Sequence, residues 1–308
     1  MIVRALVRAP LLLVGVSVLV FTTAEALPGD AAQARAAGRA TAEQLAGLRT
    51  ETGLDEAAWQ RYLGWAWGLL RGDAGVSLLS GRPVAELIGQ RLPATAVLAA
   101  AALAVTVPVM LLLAWSAGTG SAFGRCVAAV VTATAAVPQV VVAAALTALL
   151  SGVLGWLPPV SLLPAGGALP APEVLALPTA SLALPAAAYG AMLLRGVVAD
   201  ALTRPHVRDA WLRGLSRRRI AVRYVGPLLL APAVRILSVV AGGLVAATAV
   251  VETMFGYAGL GELLVGAVAN RDTPVVQATA MLAAAVALGG LLVADLLAAL
   301  TDPRRAPS

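Results

Sequence analysis

RPHVRDAWLRGLSRRRIAVRYVGPLLLAP, residues 204–232, decides the fold because it sets seven arginines between two long apolar regions. An arginine at membrane depth costs roughly 2.5 kcal/mol or more. These arginines therefore belong in water or among lipid headgroups, and the excess of basic residues in cytoplasmic loops assigns the stretch to the cytoplasm. The seven are Arg204, Arg208, Arg213, Arg217, Arg218, Arg219 and Arg223.

The same stretch carries a helical pattern. Val207, Trp211 and Leu215 recur every four residues and predict one apolar stripe on an otherwise basic helix. Gly214 lies where the chain can turn tightly. A loop that only sets topology needs nothing beyond positive charge, so a tryptophan beside a glycine favours a surface that docks onto another protein. A helix lying among lipid headgroups is the alternative.

The composition is that of a membrane protein. Hydrophobic residues make up 60% of the chain and charged residues 12%, whereas soluble domains are roughly 25% charged. This balance predicts a polytopic protein in contact with lipid. The net charge of +6 does not indicate a nucleic-acid partner, because the arginines cluster beside apolar segments instead of along one basic face.

The chain lacks the residues that many catalytic sites need. It has no lysine and no GxxxxGK[ST] motif, so a P-loop is excluded and any ATP hydrolysis must come from a partner. His206 and Cys126 are the only histidine and cysteine, which excludes a multi-histidine zinc site and an intrachain disulfide. We therefore expect no enzyme activity, catalytic residue, cofactor or metal in this chain.

Apolar runs predict an all-α polytopic membrane protein with about six transmembrane helices. Residues 1–27 form the first helix; Ala24-Glu25-Ala26 resembles a signal-peptidase site, so a cleaved signal peptide is the alternative. Residues 28–92 are expected to form a small external region, and residues 93–308 a five-helix core that includes the cytoplasmic loop 199–227. The core helices are predicted at residues 94–118, 127–150, 174–198, 228–251 and 275–300.

Prolines lie inside several of these predicted helices. Pro138 is expected to kink the third helix, and Pro178 and Pro185 to break the fourth. Neighbouring helices can satisfy the carbonyls that a proline leaves free, so Pro108 and Pro138 favour a packed bundle over separate membrane anchors.

Short motifs follow one another in order along the chain. They resemble, at similar intervals, the pattern of permease subunits of bacterial ABC importers, in the branch that imports dipeptides, oligopeptides and nickel. RDAWLRGLS, residues 208–216, together with Pro232 resembles the cytoplasmic coupling loop of that family, the EAA loop. The other motifs are LPGD at residues 27–30, GLD at 53–55, RGDAGVS at 71–77, GRPV at 81–84 and RLPAT at 91–95.

The resemblance implies a fold like the transmembrane domain of type I ABC importers, in the cell membrane with both termini cytoplasmic. It also implies a second permease subunit in a heterodimer, two cytoplasmic ATPase subunits and an extracytoplasmic solute-binding protein as partners. The coupling loop that binds the ATPase subunits would consist of Arg208, Asp209, Ala210, Trp211, Arg213, Gly214, Leu215 and Ser216.

The segment VETMFGYAGLG, residues 251–261, resembles the external loop of the family, in which a Glu-Thr pair precedes an aromatic residue and Gly-Leu-Gly. Glu252, with Thr253 and Phe255, is a candidate for the translocation path or an external gate. The carboxylate would there meet a cationic group of the solute. A carboxylate that reaches the lipid headgroups from a helix end is the alternative.

The alternative function is a stand-alone secondary transporter or channel. Against it, no predicted span carries a central ionisable residue for ion coupling, and no inverted repeat is visible. Within the resemblance, peptides, nickel and opine-like solutes all stay open, because a separate binding protein largely selects the solute.

Reporter fusions test this topology. Both termini and Gly214 should report the cytoplasm, and Asp55 and Gly166 the outside, because the basic clusters stay on the cytoplasmic side. A cytoplasmic reporter at Asp55 would contradict the map. A mature protein that begins at Leu27 would identify the first helix as a signal peptide.

Overall fold

The computed structural model of the chain describes residues 2–25, 57–162 and 171–300. Regular structure in these residues is helical apart from one isolated β-bridge between Val76 and Pro83, which confirms the all-α class. The motifs at residues 27–30 and 53–55, and Gly166, lie outside the described residues. The helices are α1 Ile2–Glu25, α2 Ala58–Leu70, α3 Val84–Gly118, α4 Ala122–Ala136, α5 Gln139–Thr147, α6 Pro172–Leu202, α7 Pro205–Leu212, α8 Arg217–Ile220, α9 Gly226–Phe255, α10 Leu260–Ala269 and α11 Thr273–Leu300.

Four segments among the described residues are long and apolar enough to cross a membrane. They are α3, α6, the part Thr273–Gly290 of α11, and the run Arg217–Phe255, in which the π-turn Ala221–Val225 joins α8 to α9. The bent pair α4 and α5 qualifies as a fifth. The predicted number of about six also counts α1, whose apolar part Pro10–Glu25 is shorter than the other spans.

The long helices α3 and α6 lie side by side and run in the same direction. A Cβ placed on Gly118 of α3 would lie 2.6 Å from Cγ1 of Val198 on α6, and Gly190 of α6 abuts Met110 of α3 in the same register. Glycine allows membrane helices to approach this closely. Because both helices run from the same end of the bundle to the other, the chain between them must cross back once.

That return crossing is made by α4 and α5, which are bent by 104° between Ala136 and Gln139. Val137 has an extended backbone because a residue before proline avoids the helical conformation. After α5, Ser161 donates its backbone N–H to the Phe255 carbonyl (2.8 Å) and its hydroxyl to the Val174 carbonyl (2.7 Å), beside the start of α6. The pair is therefore one broken span, and the predicted kink in the third helix is a full break.

The interior of the bundle consists of apolar clusters stacked from one end to the other. Leu98, Leu177 and Leu244 lie in the cluster at the end where α6 begins. Met110, Val131 and Leu194 form the next cluster, around the contact between α3 and α6. At the far end, α7, α8 and the π-turn close over the last turns of α6 through Ala201, Val207, Ala210, Ile220 and Val225.

Pro138 separates α4 from α5, but the prolines inside α6 do not interrupt that helix. The sequence predicts that α6 is broken at Pro178 and Pro185. The helix continues through both residues. Leu177, Pro178 and Thr179 are all buried, so packing against neighbouring helices holds the backbone although each proline removes one helical hydrogen bond. The prediction of a broken fourth helix is therefore wrong.

Helix boundaries also differ from the prediction. α3 begins at Val84 and contains Pro93, so the predicted limit at residue 92 between the external region and the core falls inside a helix. α9 extends to Phe255 instead of residue 251. α10 has no counterpart among the predicted helices, because contacts from distant residues hold its first turn.

Gly118→Ala tests the packing of α3 on α6. Its Cβ would overlap Val198 and approach the Arg195 carbonyl at 3.1 Å, so we expect a loss of about 1–3 kcal/mol in stability and a lower Tm for the detergent-solubilised protein. Gly196→Ala is the matched control, because that α6 glycine has nothing within 4 Å of an added Cβ. Equal Tm values for the two variants would contradict the close contact.

Candidate functional site

The arginine-rich element, residues 204–225, is a helix, a glycine turn and a second helical turn. Arg204 is extended and Pro205 takes the first helical position of α7, where a missing N–H costs nothing. Gly214 ends the helix with φ at +72°, a left-handed conformation that favours glycine. The Leu215 N–H donates to the Ala210 carbonyl (3.2 Å) and the Gly214 N–H to the Trp211 carbonyl (2.9 Å), which is the Schellman arrangement. The predicted turn at Gly214 is confirmed.

One face of α7 is buried against the bundle. Val207 and Ala210 are buried and Leu215 is half-buried, whereas Trp211 is 40% exposed. The predicted stripe of Val207, Trp211 and Leu215 is therefore wrong at Trp211. The centre of the buried face lies between Val207 and Ala210. Trp211 is therefore at the edge of that face. Leu215 follows the helix and reaches the core only because the chain turns at Gly214.

The outer face of the arginine-rich element combines an apolar centre with a basic rim. Leu212 is 79% exposed and adjoins Trp211. None of the seven arginines forms an ion pair with another described residue. An exposed apolar patch rimmed by polar residues is typical of a protein interaction site. The exposed rim consists of Arg208, Asp209, Arg213, Ser216, Arg217, Arg218 and Arg219.

At the opposite end of the bundle, the carboxylate of Glu252 is completely buried in the last turn of α9. Its Oε1 accepts the hydroxyl of Thr95 on α3 (2.7 Å). Its Oε2 accepts the backbone N–H groups of Gly261 (2.6 Å) and Glu262 (3.3 Å) in the first turn of α10. The Thr95 hydroxyl oxygen in turn accepts the Leu260 N–H (2.7 Å). We call Glu252, Thr95 and these three N–H groups the Glu252 node.

The node explains why α10 begins where it does. The N-cap residue Gly259 has no side chain to accept a hydrogen bond, so Glu252 and Thr95 cap the helix from other elements. A Cβ on Gly259 would collide with the Glu252 carboxylate, and one on Gly261 would collide with the backbone of Ala249. The glycines of the Gly-Leu-Gly motif, residues 259–261, therefore allow α9 and α10 to pack closely.

Tyr257 supports the same junction. Its hydroxyl donates to the Ala94 carbonyl on α3 (2.8 Å), and its side chain is buried. Burial, together with the nearby Glu252 carboxylate, raises the pKa of Tyr257 to about 12. The phenol therefore stays protonated at physiological pH and remains a hydrogen-bond donor to α3.

Two further contacts hold α10 and the start of α11 to α3 and to the segment before it. Asp272 is buried and accepts the Ser77 hydroxyl (2.5 Å) and the Leu78 N–H (3.0 Å). Arg91 pairs with Glu262 at 3.1 Å. The sequence reasoning missed Ser77, Asp272 and Thr95, because their partners are more than 150 residues away. The local signals are Asp272 next to Thr273-Pro274, a pattern typical of a helix start, and the family motifs at residues 71–77 and 91–95, which end at Ser77 and Thr95.

The predicted external residues divide into buried and exposed ones. Glu252 and Phe255 are buried in this conformation, and only Thr253 is exposed. A carboxylate reaching the headgroups, the alternative for Glu252, is therefore wrong. Direct contact of Glu252 with solute stays a prediction, which requires a conformation that uncovers the side chain.

The described residues contain no cluster of three or more histidine, cysteine, aspartate or glutamate side chains that could hold a metal ion. His206 and Cys126 are both exposed and lie on different helices, α7 and α4. What the geometry provides is an exposed apolar pair with a basic rim at one end of a helical bundle and a network of tertiary hydrogen bonds at the other.

Comparisons with known proteins cover almost the whole chain. Residues 107–307 match the family described as binding-protein-dependent transport system inner membrane component, and residues 1–99 match its N-terminal membrane-component family. A putative peptide transport system permease protein of Brucella abortus (strain 2308) is 31% identical over 301 residues, covering 96% of this chain and 95% of that protein. A probable peptide ABC transporter permease protein of Sinorhizobium fredii is 30% identical, with 98% of each chain covered. The dipeptide transport system permease protein DppB of Escherichia coli (strain K12) is 29% identical, with 94% of each covered.

Gly261→Ala tests the close approach of α10 to α9. The added Cβ would collide with the Ala249 backbone, which cannot move without shifting α9, so we expect the Glu252 node to open and the protein to lose about 1–3 kcal/mol of stability. Gly266→Ala, later in α10 with open space around it, should change little. Thermal unfolding and hydrogen exchange of the α10 amides measure both effects, and equal protection in the two variants would contradict the contact.

Proposed function

The chain belongs to the family of binding-protein-dependent transport system inner membrane components, and on that premise we propose that it imports peptides as one permease of a heterodimer. Membership makes it a permease subunit of an ATP-driven importer and a multi-pass membrane protein. The alternative of a stand-alone secondary transporter or channel is set aside, since the family works with a separate binding protein.

The peptide assignment comes from the relatives. The three proteins compared above are described as permeases for peptides or dipeptides, and each is covered over at least 94% of its length. Nickel and opine-like solutes are the competing assignments. Uptake by the complete complex, with labelled dipeptide and with nickel, separates these solutes.

We assign ATPase docking to the arginine-rich element. The observation that carries this role is the exposed pair Trp211 and Leu212 on a helix whose other face is fixed by Val207 and Ala210. Bound partners bury such aromatic and apolar centres, whereas the polar rim stays wet. The buried face then allows the movement of a docked ATPase subunit to be passed to the bundle.

The direction of insertion follows from the same element. With the arginine-rich element in the cytoplasm, the Glu252 node lies at the external end, and both chain termini are cytoplasmic. The external end would receive solute from the binding protein. Its apolar side chains Val76 and Leu79, which are 52% and 64% exposed, offer a contact surface there.

Gly214→Val and, separately, Trp211→Asp test ATPase docking. Valine at a left-handed position strains the turn by about 1 kcal/mol or more, and aspartate puts a charge at the centre of the docking surface. Because the element lies outside the bilayer, both variants should insert normally. We expect co-purification of the ATPase subunits to fall by about tenfold or more and dipeptide uptake to be lost.

Gly214→Asn is the matched control, since asparagine tolerates the left-handed conformation far better than valine and the site has open space for a side chain. It should retain most ATPase binding. If Gly214→Val and Trp211→Asp both kept full ATPase binding and uptake, the arginine-rich element would not be the docking site.

A further inference from the structure

One unbroken helical run joins the two sites. Residues Arg217–Phe255 form 39 consecutive helical residues, from α8 through the π-turn Ala221–Val225 to the end of α9. At 1.5 Å per residue the run is about 60 Å long. It begins three residues after Gly214 and ends three residues after Glu252, so it connects the docking surface to the Glu252 node without an intervening loop.

The cytoplasmic end of this run is packed against the docking helix. Ile220 and Val225 are buried in one cluster with Val207 and Ala210 of α7. Interiors are close-packed and transmit displacement instead of absorbing it. A shift of α7 therefore moves the start of the run with it.

The external end is attached by Glu252 to two other elements. The carboxylate bonds to Thr95 of α3 and to the first turn of α10. α10 is also connected directly to α3 through the Arg91–Glu262 ion pair. We infer that Glu252 is a positioning residue of the transport cycle, which ties the external end of the run to α3 and α10 so that movement at the ATPase end reaches the external end.

This inference rests on the proposed docking role of the arginine-rich element, and it gives Glu252 a role that needs no contact with solute. The chemistry of the node supports it. An ionised carboxylate only accepts hydrogen bonds, and a hydroxyl and two N–H groups all point at Glu252. With these three donors in place the carboxylate is also completely buried, so in this conformation it presents no surface to a passing solute.

Substitutions can weaken the node while keeping its shape. In Glu252→Gln one oxygen becomes an NH₂ group. If it faces Thr95, the hydroxyl proton loses its acceptor, and if it faces α10, it opposes two N–H donors. Thr95→Val removes the hydroxyl at nearly constant volume, whereas Thr95→Ser retains it.

The experiment uses the complete complex with its ATPase subunits, second permease and binding protein in proteoliposomes. We expect Glu252→Gln and Thr95→Val each to keep the ATPase subunits bound but to lower dipeptide transported per ATP hydrolysed by about tenfold, since each breaks a buried hydrogen bond of the node. The double variant should be no worse than the stronger single one, because both act on one contact. Thr95→Ser should transport like the native protein. In Glu252→Gln and Thr95→Val, the loss of transport should be equal for neutral and cationic dipeptides.

Glu86→Gln is the control and should transport normally, because its half-exposed side chain on α3 pairs with Arg82 and takes no part in the node. A loss in Glu252→Gln confined to cationic dipeptides would overturn the inference in favour of direct solute contact. Normal transport per ATP with faster exchange of the α10 amides would overturn it in favour of a purely local helix cap. Should Glu252→Gln fail to insert, Thr95→Val and Thr95→Ser still decide the outcome.

The two proposals fail in different ways. If the arginine-rich element does not bind the ATPase, Gly214→Val behaves like the native chain. If only the Glu252 inference is wrong, Gly214→Val still loses the ATPase subunits while Glu252→Gln and Thr95→Val transport normally.

Discussion

The parallel contact between α3 and α6 is the constraint on which the rest of the bundle depends. Gly118 and Gly190 bring the two helices together in one register. Two parallel neighbours require a return crossing, which α4 and α5 make as a broken span. The run that ends in α9 then returns antiparallel to α3, and this direction brings Glu252 beside Thr95. The junction of α3, α9 and α10 around Glu252 is thus a consequence of helix packing far from it.

Features governed by local physics could be predicted from the sequence. The cost of placing arginine in a bilayer predicts that residues 204–223 lie outside the spans, and the need for a left-handed residue correctly predicts the turn at Gly214. The face on which Trp211 lies could not be predicted, because it depends on where Ile220 and Val225 meet α7. The periodicity of residues 205–212 predicts a helix, but which face of that helix is buried depends on the elements packed against it.

Prolines and the Glu252 node show where sequence patterns stop being informative. Pro138 breaks its helix and Pro178 does not, although both lie in apolar segments; Pro178 is buried and held by neighbouring helices. Glu252 and Thr95 are separated by 157 residues, so no local sequence motif predicts their contact. The resemblance to a family located the segment 251–261, but the burial of its carboxylate follows only from the packing of three helices.

The absence of side chains at positions 259 and 261 has a consequence for how relatives of this chain can diverge. The Glu252 carboxylate fills the volume that a side chain at position 259 would need, and the Ala249 backbone does the same for position 261. Residues 95, 252, 259 and 261 therefore share one volume and one set of hydrogen bonds. A change that adds volume at position 259 or 261, or removes a hydrogen-bonding group at position 95 or 252, leaves a clash or an unpaired buried donor unless a second position changes with it. These positions are constrained to evolve as a single unit spread over three helices.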